Sequence, residues 1–150
     1  MDESKLTMAQ RIARLAGAYQ QQRTGRAPKT VTVVLSGDTL VVTMHDALTT
    51  AEQEMAKSPV GAIQIQEFHR QLFADSVEPL RAAIREITGI EVCEAASEVD
   101  TTTGAVVHAF TNGTMVQVFL LAKSMSQIAW NATCPCVASE KEPPCDKEGH

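Results

Sequence analysis

Aromatic residues are scarce in this chain: 4% of 150 residues, with one tryptophan and one tyrosine. The core therefore has to be assembled from Val, Ile, Leu, Ala and Met, and a hydrophobic content of 44% is enough for one ordinary domain. No stretch approaches the ~20 consecutive apolar residues of a membrane span, so no direct membrane insertion is expected. Positive charge is short as well, with 13 Lys and Arg against 18 Asp and Glu and a net charge of −5. A nucleic-acid binder presents a basic face. The only local cluster here, Arg11, Arg14, Arg23, Arg26 and Lys29, is thinly spaced, so a nucleic-acid partner is not expected. The glycines are scattered at turns and helix ends and form neither GxGxxG nor GxxxxGK, which leaves no phosphate loop. Cysteine is limited to Cys93, Cys134, Cys136 and Cys145, which a reducing compartment would keep as thiols. The polar, acidic opening Met1-Asp2-Glu3-Ser4-Lys5 is followed by no apolar signal core, and the expectation is a cytoplasmic protein.

What is present is periodicity. Met8, Ile12, Leu15, Ala16 and Tyr19 recur at spacings of three and four, predicting an amphipathic helix over residues 4–23 that Gly25 and Pro28 stop. Two β-branched runs, Val31 to Leu35 and Leu40 to Met44, flank Ser36-Gly37-Asp38-Thr39 and read as a hairpin. Each has one core face, and the other face is mixed rather than fully polar, as a surface covered by a partner would be.

Leu48-Thr49-Thr50-Ala51-Glu52 carries the spacing of a capping box and opens a short helix to about Lys57. Ser58-Pro59 ends it and starts another, in which Ile63, Ile65, Phe68, Leu72, Phe73, Leu80, Ala83, Ile84 and Ile87 keep helical spacing to Gly89. Pro79 falls inside that run and predicts a kink or break between Ala74 and Glu78. Strands are expected over Ile90 to Val99, Ala105 to Phe110 and Met115 to Leu121, with Asn112-Gly113 as a hairpin turn. The fold class is α+β in two layers: a helix, a β-hairpin, helices and three antiparallel strands. A single domain spans 1–122; residues 123–150 form a C-terminal extension, expected to be flexible, in which Ser124 to Asn131 can make a helical turn or two.

No catalytic constellation emerges, and the expectation is a protein that is not an enzyme and needs no cofactor. His45 and Asp46 are neighbours on a strand and point to opposite faces; His69 and Arg70 lie on the long helix; His108 fits an outward strand position. These read as structural or surface residues. Arg26 and Arg70 are candidate contacts for a small anion, with a salt-bridged or solvated arginine as the plainer reading. Cys134, Cys136 and Cys145, with His150, are candidate metal ligands, though Cys-x-Cys is not the paired spacing of common zinc folds, and a solvated tail with free thiols explains them more simply. Cys93 reads as a small buried apolar residue.

The order of landmarks resembles the MpsC-like family of small bacterial proteins. These landmarks are Gly25-Arg26-Ala27-Pro28 before Val31-Thr32-Val33, Leu40-Val41-Val42, Leu48-Thr49-Thr50-Ala51-Glu52, Arg70, Thr88-Gly89-Ile90-Glu91-Val92, Asp100 before Gly104, and Val118-Phe119-Leu120. The resemblance covers about residues 8–122. One departure is His45-Asp46-Ala47, where the family tends to have a glycine ahead of Leu-Thr. The resemblance implies a soluble component of a sodium-translocating, membrane-potential-generating system linked to inorganic-carbon uptake, with membrane transport subunits as partners and no catalytic residues to carry over. Together with the mixed strand faces, it makes a homodimeric, non-enzymatic accessory protein the first expectation. A small-anion or metal-sensing protein using Arg26, Arg70 or the tail cysteines is the alternative.

Overall fold

A computed structural model describes residues 5–100 and 114–133. Helix α1 (Met8–Thr24) opens on a capping box, with the Thr7 hydroxyl accepting from the Gln10 N–H and the Gln10 side chain accepting from the Thr7 N–H. It closes on Gly25, whose φ of 84° is the left-handed conformation that glycine adopts freely at a helix end. Met8, Ile12, Ala16 and Gln20, four residues apart, form its buried edge. The helix starts four residues later than the periodicity implied, because Thr7 takes the cap position.

Strands β1 (Thr30–Ser36) and β2 (Thr39–His45) form the expected hairpin around Gly37-Asp38. Helix α2 (Thr50–Met55) is capped by Thr49, and α3 (Pro59–Thr88) by Ser58, with Pro59 in the first turn, where its missing N–H costs nothing. Helix α3 is one element of 30 residues, and the break expected at Pro79 does not occur. Pro79 is exposed, and so is Asp75, whose carbonyl loses its helical partner, so water can satisfy that oxygen. On the opposite side an unbroken stripe of Ala62, Ile65, His69, Phe73, Ser76, Leu80, Ile84 and Ile87 is buried, and its packing holds both halves in line. Two of these positions are polar. Ile63 and Phe68, counted above with the apolar stripe, stand exposed instead.

Strands β3 (Val92–Asp100) and β4 (Thr114–Leu121) complete an antiparallel sheet of order β1-β2-β4-β3, so β4 lies between the N-terminal hairpin and β3. The expected strand at Ala105 to Phe110 and the Asn112-Gly113 turn lie outside the described residues. Helices α1 and α3 cover one face, α1 over β1 and α3 over β3. The core between the layers is aliphatic and thioether-rich, as the shortage of aromatics requires: Ile12, Leu40, Val42, Met44, Leu48, Ile84, Val92 and Met115 are fully buried around a single Phe73–Phe119 ring contact. Arg81 clamps the layers together by donating to the Val92 carbonyl at 2.6 Å.

The C-terminal segment does not leave the domain at residue 123. Helix α4 (Gln127–Asn131) buries Trp130 in the core, and Gln127 Nε2 donates to the Leu35 carbonyl at 3.2 Å. Residues 134–150 lie outside the described part. Cys93 is half-buried and disulfide-bonded rather than a buried free thiol, and its partner is outside the described residues. It sits at the irregularity between Val92 and Glu94, on an edge strand of the described sheet.

Gly61 sets how closely α2 can approach α3, since a Cβ there would lie 1.8 Å from the Met55 carbonyl oxygen. Gly61→Ala is expected to lower stability in urea unfolding by at least the ~1–3 kcal/mol of an overpacked core position. Gly17→Ala, whose methyl would meet only a Val31 methyl at 3.5 Å, is expected to be tolerated.

Candidate functional site

The elbow between α2 and α3 joins a buried carboxylate–histidine pair to four of the six exposed large apolar side chains among the described residues. Glu52 stands at the third position of α2, where its Oε1 accepts the Thr49 N–H at 2.8 Å while the Thr49 hydroxyl accepts the Glu52 N–H at 3.2 Å. That uses one carboxylate oxygen. The other, Oε2, lies 2.7 Å from His69 Nε2, one turn beyond Ile65 on the buried stripe of α3. An ionised carboxylate only accepts, so Nε2 carries the proton and donates. The side chains are 2% exposed for His69 and 10% for Glu52.

Burial pushes the Glu52 carboxyl up. The hydrogen bond from His69, the Thr49 backbone N–H and the charge His69 carries when protonated outweigh it, and the carboxyl stays below its ordinary 4.5. Ser58 completes the elbow, its hydroxyl accepting the Gly61 N–H at 3.0 Å. Outside this polar clasp the chain turns apolar side chains to solvent. Val60 is 67% exposed, Ile63 61%, Phe68 47% and Met55 44%. Phe68 leans edge-on against the His69 ring with centroids 5.3 Å apart.

The residues singled out from the sequence are dispersed. Arg26 is committed: its Nη2 donates to Asp46 Oδ2 at 2.7 Å and its Nε to the Asp46 carbonyl at 3.1 Å. This ties the end of α1 to the loop before α2. Asp46 has a φ of 56°, the conformation glycine adopts most freely. His45 accepts the Lys29 N–H with its own carbonyl and lies half-buried. Arg70 pairs with Glu67 one turn back on α3. Arg26 and Arg70 therefore have separate carboxylate partners. Cys134, Cys136, Cys145, His108 and His150 lie outside the described residues. Among the described residues no group of three or more His, Cys, Asp or Glu side chains could hold a metal ion.

Sequence reasoning named both Glu52 and His69 but did not join them. A signal existed: His69 sits four residues from both Ile65 and Phe73, on the buried stripe, where a polar side chain needs a partner.

Removing one member of this pair strands the other. Glu52→Ala is expected to cost about 3–5 kcal/mol in urea unfolding near neutral pH. A carboxyl held below its unfolded value adds stability above that value and loses it as pH falls through the folded pKa. The stability gap between the native chain and Glu52→Gln is thus expected to hold from neutral pH down to about 5 and to close below 4.5. A gap that persists in acid would show that the pair is not ionised.

Comparison with known families places these joints in context. A family described as Na+-translocating membrane potential-generating system (MpsC) matches residues 4–113. Neither the curated proteins nor the solved structures give a match. The matched span holds α1, the hairpin, the elbow, all of α3 and β3, and so includes every contact of the Glu52–His69 clasp and the Arg26–Asp46 tie. The chain belongs to the MpsC family.

Proposed function

We propose that this protein is a non-enzymatic accessory component of a membrane-potential-generating ion or inorganic-carbon transport system, and that it works by docking its α2–α3 elbow onto a protein subunit of that system. One observation carries the reading. Six large hydrophobic side chains stand exposed among the described residues, and four of them, Met55, Val60, Ile63 and Phe68, lie on the elbow. Clustered exposed apolar side chains on an ordered surface mark an interaction site.

The clasp beneath it fixes the geometry, so the surface is presented without being ordered on binding. The rim mixes Glu54, Lys57, Glu67 and Arg70 in two ion pairs, which suits a protein partner better than an anionic lipid surface, since the latter calls for clustered basic residues. Among the described residues no helix is long and apolar enough to cross a membrane, so contact with the bilayer itself is left to the partner.

The protein acts as a homodimer through the face of the sheet that no described helix covers. There Val34, Val41, Val118 and Ala96 stand in one row across the four strands, and Val34 is 53% exposed.

Two experiments test these statements separately. Native co-purification is expected to recover membrane subunits with the wild-type chain and to lose them with Val60→Asp combined with Ile63→Asp, at unchanged melting temperature. A wild-type chain that remains alone, or a double variant that keeps its partner, contradicts the docking surface. In sedimentation analysis, Val34→Lys is expected to shift the chain from dimer to monomer, and a chain that is monomeric throughout removes the dimer.

A further inference from the structure

Cys93 is the only cysteine among the described residues, and it is disulfide-bonded. The chain has three others, Cys134, Cys136 and Cys145, so the bond runs to the segment that follows α4. It has no part in the elbow.

The connection from β4 to α4 starts beside Cys93 and ends in the core. Leu121 pairs with Val92, and the Ala122 N–H donates to the Glu91 carbonyl at 2.8 Å. The chain then passes the β1–β2 turn, where the Met125 N–H donates to the Gly37 carbonyl at 3.4 Å. Helix α4 has five residues, too few to stand as an isolated helix, and it packs on α1. Two side chains dock it: Trp130, which is 5% exposed, and Gln127, which holds the Leu35 carbonyl. Ile128 between them is 86% exposed, so one side of the helix faces solvent. A unit with so few buried contacts opens at lower free energy than the sheet beside it.

We propose that the Cys93 disulfide is a redox-governed latch on α4, closed by Cys134 or Cys136. These two cysteines lie four and six residues past Trp130, against fifteen for Cys145. Four residues reach about 14 Å when extended, so a bond there leaves α4 little room to leave its seat. The shorter tether from the anchored Trp130 also gives these thiols the higher effective concentration at Cys93.

Cys93 is half-buried rather than enclosed, so a small thiolate such as that of glutathione can approach it. Attack breaks the protein disulfide, forms a mixed disulfide and releases one protein thiolate, which takes up a proton. A second thiolate displaces the mixed disulfide. Two thiols are thereby oxidised to one disulfide while the protein gains two S–H groups. Oxidised glutathione runs the same exchange backwards and closes the latch. With the bond open, α4 is held by Trp130 and Gln127 alone; with it closed, undocking must also move a chain fastened to β3.

Trp130 is the only tryptophan, so its emission reports this helix. The full chain is titrated across ratios of reduced to oxidised glutathione. Opening is expected to shift the emission to longer wavelength, with a severalfold gain in acrylamide quenching. The far-ultraviolet helix signal is expected to keep all but the small share of α4. Peptide mapping of the oxidised chain is expected to find Cys93 joined to Cys134 or Cys136. Cys93→Ser is expected to give the open signal at every ratio, and Cys145→Ser to titrate as the native chain does.

Emission indifferent to the glutathione ratio overturns the latch. So does Cys93 recovered from the oxidised chain as a thiol, or joined to Cys145. A general loss of helix signal along with the emission shift would make the bond a support of the whole domain, which contradicts a local latch. If Cys93→Ser fails to fold, the glutathione titration and the peptide map of the native chain still decide.

Discussion

The interaction on which the rest of this structure depends is the buried pair of Glu52 and His69. It joins a six-residue helix, too short to stand alone, to the longest helix of the domain. One carboxylate oxygen closes the helix start at Thr49 and the other takes the proton of His69, so a single side chain both begins α2 and fastens it. Around that point the chain makes two close approaches. Gly61 lets the Met55 carbonyl lie against the first turn of α3, and Ala47 and Leu48 sink completely into the core just ahead of the cap. The apolar side chains that stand out from the elbow are held in place by a polar joint beneath them.

Much of the fold was legible because local chemistry and tertiary packing agree. Thr49 with Glu52, Ser58 with Pro59, Gly25 and Gly89 mark helix ends where the structure has them, and the Gly37-Asp38 turn joins the strands it was expected to join. The misreadings have physical causes. Pro79 predicted a break because the rule concerns a lost hydrogen bond, whereas here the freed carbonyl belongs to an exposed residue, where water can satisfy it, and a buried stripe runs along the other side of the helix. Ile63 and Phe68 were assigned to the core because apolar identity was followed, while His69 and Ser76 occupy stripe positions that identity alone would give to solvent. The half-buried Cys93 is disulfide-bonded, where a thiol was expected because a reducing compartment would keep it so.

The candidate site was less legible than the fold. Its residues come from elements separated in sequence, and the link between Glu52 and His69 appears only once α2 folds back on α3. The family landmarks, by contrast, turn out to be joints. Gly25-Arg26 ends α1 and grips Asp46, Leu48 to Glu52 builds the elbow, and Thr88-Gly89 closes α3, with the Thr88 hydroxyl donating to Ile84 and accepting from Ile90.

The elbow depends on Glu52 being an ionised, buried carboxylate held by His69. Carbon-detected NMR titration of the Glu52 side-chain carboxyl in the folded chain measures this directly. The predicted result is a midpoint below the ordinary 4.5, with the His69 ring signals responding in the same step. A midpoint at or above 4.5, or a His69 ring indifferent to that titration, would contradict it.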